Sequence, residues 1–183
     1  MSMAATSWVE PRSRLGGDLD KQEIRRLRDR EEIRELYSRY CFYVDMGMPD
    51  RFAASFSEDG VLWLSDRGSF RGREEIERHV GGRTGRTFHL IHNVSIDGID
   101  GDKAVSHAYF QLLDPGTGAT VAYGTYDDAL VRVDASWRWR LKKVNYVYRS
   151  EEYTCMADSV PRPDYGRDLD GVPVFGSQRK VSR

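Results

Sequence analysis

Beyond residue 86 the sequence becomes a row of long strand-like segments: FHLIHNVSID, DGDKAVSHAYFQLL, ATVAYGTYDDALVRV and SWRWRLKKVNYVYR. Only DGIDGD, DPGTG and DAS separate them. Separators rich in Gly, Asp and Pro are hairpin turns, because these residues accept the backbone angles that a tight reversal needs. Consecutive strands joined in this way build an antiparallel sheet, and a sheet of long strands must curve. A second layer is therefore needed to cover its concave face.

The first half of the chain supplies that layer. DLDKQEIRRLRDREEIRELYSRYCFYVD opens with Asp20 and Glu23 at capping-box spacing. Ile33, Leu36, Tyr37, Tyr40, Cys41 and Val44 then recur at intervals of three and four, forming one apolar stripe on a long helix. Gly47 ends it. Pro49 opens a short helix through DRFAASF, and Asp59-Gly60 reads as a turn into a strand, VLWLS at 61–65. REEIERHV forms a third helix, ended by Gly81-Gly82. The expected class is α+β, helices first and then an antiparallel, strongly curved sheet. Residues 1–19 read as a flexible arm and 20–150 as the domain. Residues 151–183 read as a long irregular tail.

Composition narrows the function. A net charge of -1 over 183 residues lacks the basic excess of a nucleic-acid partner. Two cysteines, Cys41 and Cys155, make no disulfide framework. The opening residues show no apolar run of signal-peptide length, and no segment has the length of a membrane span. A cytoplasmic protein with no membrane partner is expected.

Two of the four histidines fall in RTFHLIHNVSI, residues 86–96. Side chains alternate faces along a strand, so His89 would share a face with Ile91 and Asn93, and His92 with Leu90, Val94 and Ile96. Either histidine alone is an ordinary hydrogen-bonded packing residue. Asp45 alters the balance. It borders the apolar stripe at the C-terminal end of the first helix, where the dipole disfavours an acid and burial demands a partner. A carboxylate holding one imidazole nitrogen fixes the tautomer and leaves the other nitrogen as a general base.

IRELYSRYCFYVDMGMPDRFAASFSEDGVLW, FRGREEIE, TFHLIHNVSI and GTYDDALVRVDASWRWRLKKVN together resemble the SnoaL-like family, which has the nuclear-transport-factor-2-like fold. The resemblance runs in order from about residue 20 to 150. It implies a cone-shaped barrel of curved antiparallel sheet, closed by one long and two short helices around a single pocket, with residues 151–183 as a pocket lid or an arm laid on a neighbouring subunit. Within it, LYSRYCFYVD matches the segment that carries the helix-terminal aspartate of hexachlorocyclohexane dehydrochlorinase, and Thr87, His89 and Asn93 match its base-histidine segment. Tyr40, five residues before Asp45, matches the tyrosine of bile acid 7α-dehydratase. Scytalone dehydratase has a second histidine on the following strand. His107 is the nearest residue here, whereas a gapless reading puts Phe110 at that place.

The resemblance implies a lyase step, dehydration or dehydrohalogenation, on a small hydrophobic cyclic or polyketide- or steroid-like substrate. His89 would be the base and Asp45 its partner, with Tyr40 and either His107 or Tyr126 donating to a developing oxyanion. No metal or organic cofactor is implied. Phe52, Phe56, Trp63, Asn93, Phe110, Tyr123 and Tyr126 are the candidate pocket residues. Relatives assemble through the outer sheet face, so a homo-oligomer is expected, a trimer ahead of a dimer. The alternatives are an isomerase using the same pair, a non-catalytic small-molecule-binding protein, and a structural subunit of a ring-hydroxylating dioxygenase. A metal site from His79, His89, His92 and His107 matches no standard ligand spacing.

In the last strand Trp137, Trp139 and Leu141 alternate with Arg138, Arg140 and Lys142, the pattern of a half-buried strand. From Val144 the apolar face switches to Val144, Tyr146 and Tyr148, which predicts a bulge or a second buried surface.

Overall fold

The computed structural model describes residues 18–82 and 86–154. The arm, apart from its last two residues, and the tail beyond 154, with Cys155, lie outside the described residues. Helix α1 (Asp18–Asp45) buries Ile33, Leu36, Tyr37 and Tyr40, four members of the expected stripe, while Cys41 and Val44 are half-buried. Each fully buried aliphatic side chain contributes roughly 1.5–3 kcal/mol. The helix starts two residues before the expected cap, so Asp20 lies in its first turn, where an acid still complements the dipole. Its end is as read: Gly47 takes a φ of 73°, and Met48 N–H donates to the Tyr43 carbonyl at 2.7 Å.

Helix α2 (Pro49–Ala54) is shorter than expected. Phe56 instead begins strand β1 (Phe56–Leu64), and Asp59-Gly60 lies inside that strand. The glycine serves a close approach rather than a turn, since a Cβ at Gly60 would sit 2.9 Å from the Trp139 carbonyl oxygen. Strand β2 (Gly68–Arg71) is too short to show a period and was not expected. Helix α3 (Gly72–Gly81) follows, burying Ile76 and Val80. Strands β3 (Phe88–Asp100), β4 (Lys103–Leu113), β5 (Thr120–Val133) and β6 (Ser136–Arg149) form the expected hairpin series. A four-residue helix α4 (Glu151–Thr154) occupies the start of the tail, which had read as irregular.

The six strands form one curved sheet in the order β2-β1-β6-β5-β4-β3. Two features depart from the expected antiparallel barrel. The sheet is open, with β2 and β3 as its edges, and β1 runs parallel to β6. Sequential hairpins can only be antiparallel, but β1 reaches β6 across the sheet and is free of that constraint.

Two of the sheet's bulges decide which side chains near the helices face inward. In β3 the pairing with β4 slips between His92 and Ser95, where Asn93 takes a φ of 53°. In β6 the pairing with β5 passes from Trp139 to Leu141, leaving Arg140 as the extra residue. Trp137 and Trp139 join the main core with Phe110 and Tyr126 beneath α1. Beyond the bulge Leu141 turns to the opposite face, where it packs with Val61, Ala129 and Trp63. The switch expected at Val144 is thus a bulge placed four residues earlier.

Candidate active site

The last turn of α1 brings Asp45 against the first residues of β3. Asp45 Oδ1 lies 2.6 Å from His89 Nδ1, and Oδ2 accepts the His89 backbone N–H at 3.0 Å. Both side chains are nearly buried, at 7% and 9% exposure. The carboxylate fixes the proton on Nδ1 and leaves Nε2 as a lone-pair nitrogen without a partner among the described residues. His89 lines a cavity of about 170 Å³ together with Tyr40, Phe52, Leu62, Val121 and Tyr146.

Tyr40 stands edge-on to the His89 ring, with centroids 5.4 Å apart. Its hydroxyl accepts a hydrogen bond from Tyr126 at 3.4 Å, so its own proton is free to be donated toward the cavity. Burial, the largest influence, lifts the Tyr40 phenol far above its ordinary value. It is therefore a hydrogen-bond donor and not a base. Burial and the neighbouring Asp45 charge likewise push the Cys41 thiol up to about 12, so it is not a nucleophile at neutral pH.

Of the remaining candidates, Phe52 lines the cavity, whereas Phe56 lies in the core beneath it, between Phe52 and Trp139. Phe110 and Tyr126 stack on each other at 4.6 Å, behind Tyr40 and away from the lining. Three residues lie elsewhere. Asn93 is exposed because the bulge turns it out of alternation with His89 and Ile91 and brings Val94 and Ile96 inward in its place. Trp63 packs on the opposite face of the sheet. Tyr123 is exposed and stacks on Tyr148.

His107 also faces away. Its Nδ1 meets Asp127 and its Nε2 meets Asp97, each at 2.7 Å, so both nitrogens are occupied. Phe110 and Ser106, at even spacing on β4, take the inward positions. His92 is exposed, because the bulge at Asn93 separates it from Val94 and Ile96, with which alternation had grouped it. Among the described residues no group of three or more His, Cys, Asp or Glu side chains is arranged to hold a metal ion. No helix among them is long and apolar enough to cross a membrane.

Sequence reasoning missed two charged groups. Lys142, on the expected polar face of β6, is fully buried and pairs with Asp128 at 2.8 Å, and Asp128 also accepts from the Tyr37 hydroxyl at 2.7 Å. The Lys142 ammonium lies 3.8 Å from the Tyr126 ring centre and 4.6 Å from that of Tyr40, forming the floor behind the site. Burial lowers the lysine and raises the aspartate from their ordinary values. Arg67, in the turn between β1 and β2, lines the cavity itself. A turn residue has no periodicity to reveal it, and only the β6 switch at Val144 hinted at the inversion that buries Lys142.

The family model described as a SnoaL-like domain matches residues 25–143. The chain belongs to the SnoaL-like domain family. Solved structures similar to this SnoaL-like chain include a nuclear-transport-factor-2-like protein with a cystatin-like fold from Novosphingobium aromaticivorans. It is 23% identical, with a TM-score of 0.67, over 80% of this chain and 98% of that one. A scytalone-dehydratase-type protein from the same organism is 21% identical, with a TM-score of 0.60, over 72% and 91%. The hexachlorocyclohexane dehydrochlorinase LinA-type3 of Novosphingobium barchaimii is 20% identical, with a TM-score of 0.60, over 70% and 92%. These likenesses establish the fold. Comparison with curated proteins gives no match.

Proposed function

We propose that this SnoaL-like protein is a cofactor-independent lyase, of dehydratase or dehydrohalogenase type, acting on a small hydrophobic cyclic substrate. What carries the reading is the 2.6 Å contact between Asp45 and His89 at the wall of an apolar cavity. In the proposed step His89 Nε2 takes a proton from carbon, and the C–H electron pair becomes the new double bond. The leaving group departs with its own bonding pair. Asp45 balances the imidazolium charge, and the Tyr40 hydroxyl donates to the oxygen on which negative charge develops. The cavity volume of about 170 Å³ lies below the ~300 Å³ at which pockets for drug-sized ligands begin, which favours a small ring over a steroid. The distant likeness to dehydratase-type and dehydrochlorinase proteins agrees with this class.

The test is a panel of cyclic β-hydroxy and β-halo compounds, with release of water or halide followed alongside deuterium uptake from heavy water. Elimination by the wild type that disappears in His89→Ala supports the reading. Unchanged turnover in His89→Ala removes His89 as the base. Deuterium uptake with double-bond migration and no group lost would assign the isomerase instead. Assembly is proposed through the outer sheet face, where Tyr109, Tyr123 and Tyr148 are exposed, and sedimentation equilibrium distinguishes trimer, dimer and monomer.

A further inference from the structure

The cavity has a polar end that the proposed proton transfer does not use. Arg67 lies in the turn between β1 and β2, near one edge of the sheet, whereas His89 is on β3 at the other edge. Both line the same cavity. The turn is pinned: Ser65 N–H donates to the Val144 carbonyl at 2.9 Å, and Tyr146 N–H donates to Ser65 Oγ at 3.0 Å. The Arg67 side chain is only 3% exposed.

A buried guanidinium carries five N–H donors and normally finds acceptors for most of them. Arg67 does not. Its Nη2 lies 3.5 Å from Asp66 Oδ2, a loose pairing, and its guanidinium leans over the Tyr153 ring, 5.6 Å from the centroid. Its Nε has no acceptor among the described residues. The Asp66 oxygen is shared, since Arg149 Nη1 holds it more closely, at 3.0 Å. Two cations thus lean on one carboxylate, leaving an excess positive charge at the polar end. Asp66 itself does not line the cavity, and its Oδ1 also lacks a partner among the described residues. The acid that does line it, Asp114, has Oδ1 taken up by the Gly116 and Thr117 N–H groups and the Thr117 hydroxyl. Tyr146 and Tyr153, whose hydroxyls meet at 3.0 Å, complete this end with further polar hydrogen.

An under-bonded buried cation beside an apolar cavity is matched by a ligand with an anionic oxygen group on a hydrophobic body. We infer that Arg67, with Tyr146 and Tyr153, forms a carboxylate-binding subsite, so that the substrate is a small hydrophobic carboxylic acid. Its carboxylate lies at Arg67, and its ring lies against Phe52, Leu62 and Val121, between that anchor and His89. The inference deepens the lyase reading by naming its substrate class, and it is tested by binding alone.

Titration calorimetry on the full chain, with phenylacetate and 3-phenylpropionate against their neutral amides, decides it. The expected result is tighter binding of each carboxylate than of its amide, by roughly ten- to a hundredfold. Arg67→Gln abolishes that preference, so that acid and amide bind alike. His89→Ala preserves the preference, which separates failure of this subsite from failure of the base. Arg67→Lys, which keeps the charge without the planar fork, weakens the preference and serves where the glutamine variant does not fold. Equal affinity for acid and amide in the wild type, no binding of either, or a preference that survives in Arg67→Gln overturns the proposal.

Discussion

Asp45 holds His89 at two points, the ring through Nδ1 at 2.6 Å and the backbone N–H at 3.0 Å. One carboxylate thus sets both the tautomer of the imidazole and the height of its residue on the strand. An amide cannot do both, because only one of its two terminal atoms accepts. In Asp45→Asn the amide NH₂ facing the ring makes Nδ1 an acceptor and moves the proton to Nε2. Nitrogen-15 chemical shifts should report an Nδ1–H tautomer in the wild type and Nε2–H in the variant, and kcat should fall by about 10³–10⁴. An unchanged tautomer contradicts this account.

Tyr40 and Tyr126 should separate by role. Tyr40→Phe removes the donor that faces the cavity and should cost about 10²–10³ in kcat with little change in KM. Tyr126→Phe leaves that donor in place but removes the bond that orients it, at 3.4 Å, so its effect on kcat should be smaller. Equal losses in the two variants would place the oxyanion elsewhere.

The Lys142–Asp128 pair is fully buried, and breaking it strands a charge. Lys142→Met should destabilise the protein by about 3–5 kcal/mol in urea unfolding. Adding Asp128→Asn to that variant should restore most of the loss, because the stranded carboxylate is then gone. A double variant no more stable than Lys142→Met would show that the cost lies in packing instead.

The turn between β4 and β5 should respond to acid. Asp114 is held below the ordinary carboxylate range, first by the Thr117 N–H and then by the Thr117 hydroxyl. A depressed carboxyl contributes stability that is present above its unfolded value, about 3.9, and lost as pH falls through its lower folded value. Carbon-13 titration of the Asp114 carboxyl should show that lowered midpoint, and the Thr117 amide should move with it. Asp114→Asn should abolish the amide's movement.

A Cβ at Gly124 would sit 1.9 Å from the Asn145 carbonyl oxygen, which is backbone and cannot step aside. Gly124→Ala should therefore cost about 3 kcal/mol or more in thermal unfolding, through displacement of β6 from β5. Gly82→Ala, with open space at its Cβ, is the control and should be near neutral.

Most of the scaffold was legible because its signals are periodic. The α1 stripe, its end at Gly47 and the hairpin separators each follow from local chemistry, and they put Asp45 and His89 where the structure brings them together. What was illegible lies where the period breaks. Asn93 was placed beside His89 by an alternation that the bulge at Asn93 itself interrupts. Lys142 read as solvated because strict alternation sets it opposite Trp139, whereas the extra residue Arg140 brings it to the same side. Trp63 and Tyr123 sit on strands whose periodicity was visible, but period alone does not say which face meets the helices. Arg67 belongs to a turn, where no period exists.

The bulge at Arg140 divides β6, as far as Tyr146, into two reading frames. Residues before it count inward on odd numbers, as Trp137 and Trp139 do, and residues after it on even numbers, as Lys142 and Val144 do. Loss of the supernumerary residue would merge the frames and leave Trp139 and Lys142 both inside. Loss of a residue further along, at Lys143 for example, would exchange inside for outside over the whole remaining stretch. This strand therefore accepts a change of length only where a bulge marks the place, at Arg140 and again at Val147, the extra residue between the Tyr123–Tyr148 and Gly124–Tyr146 pairs.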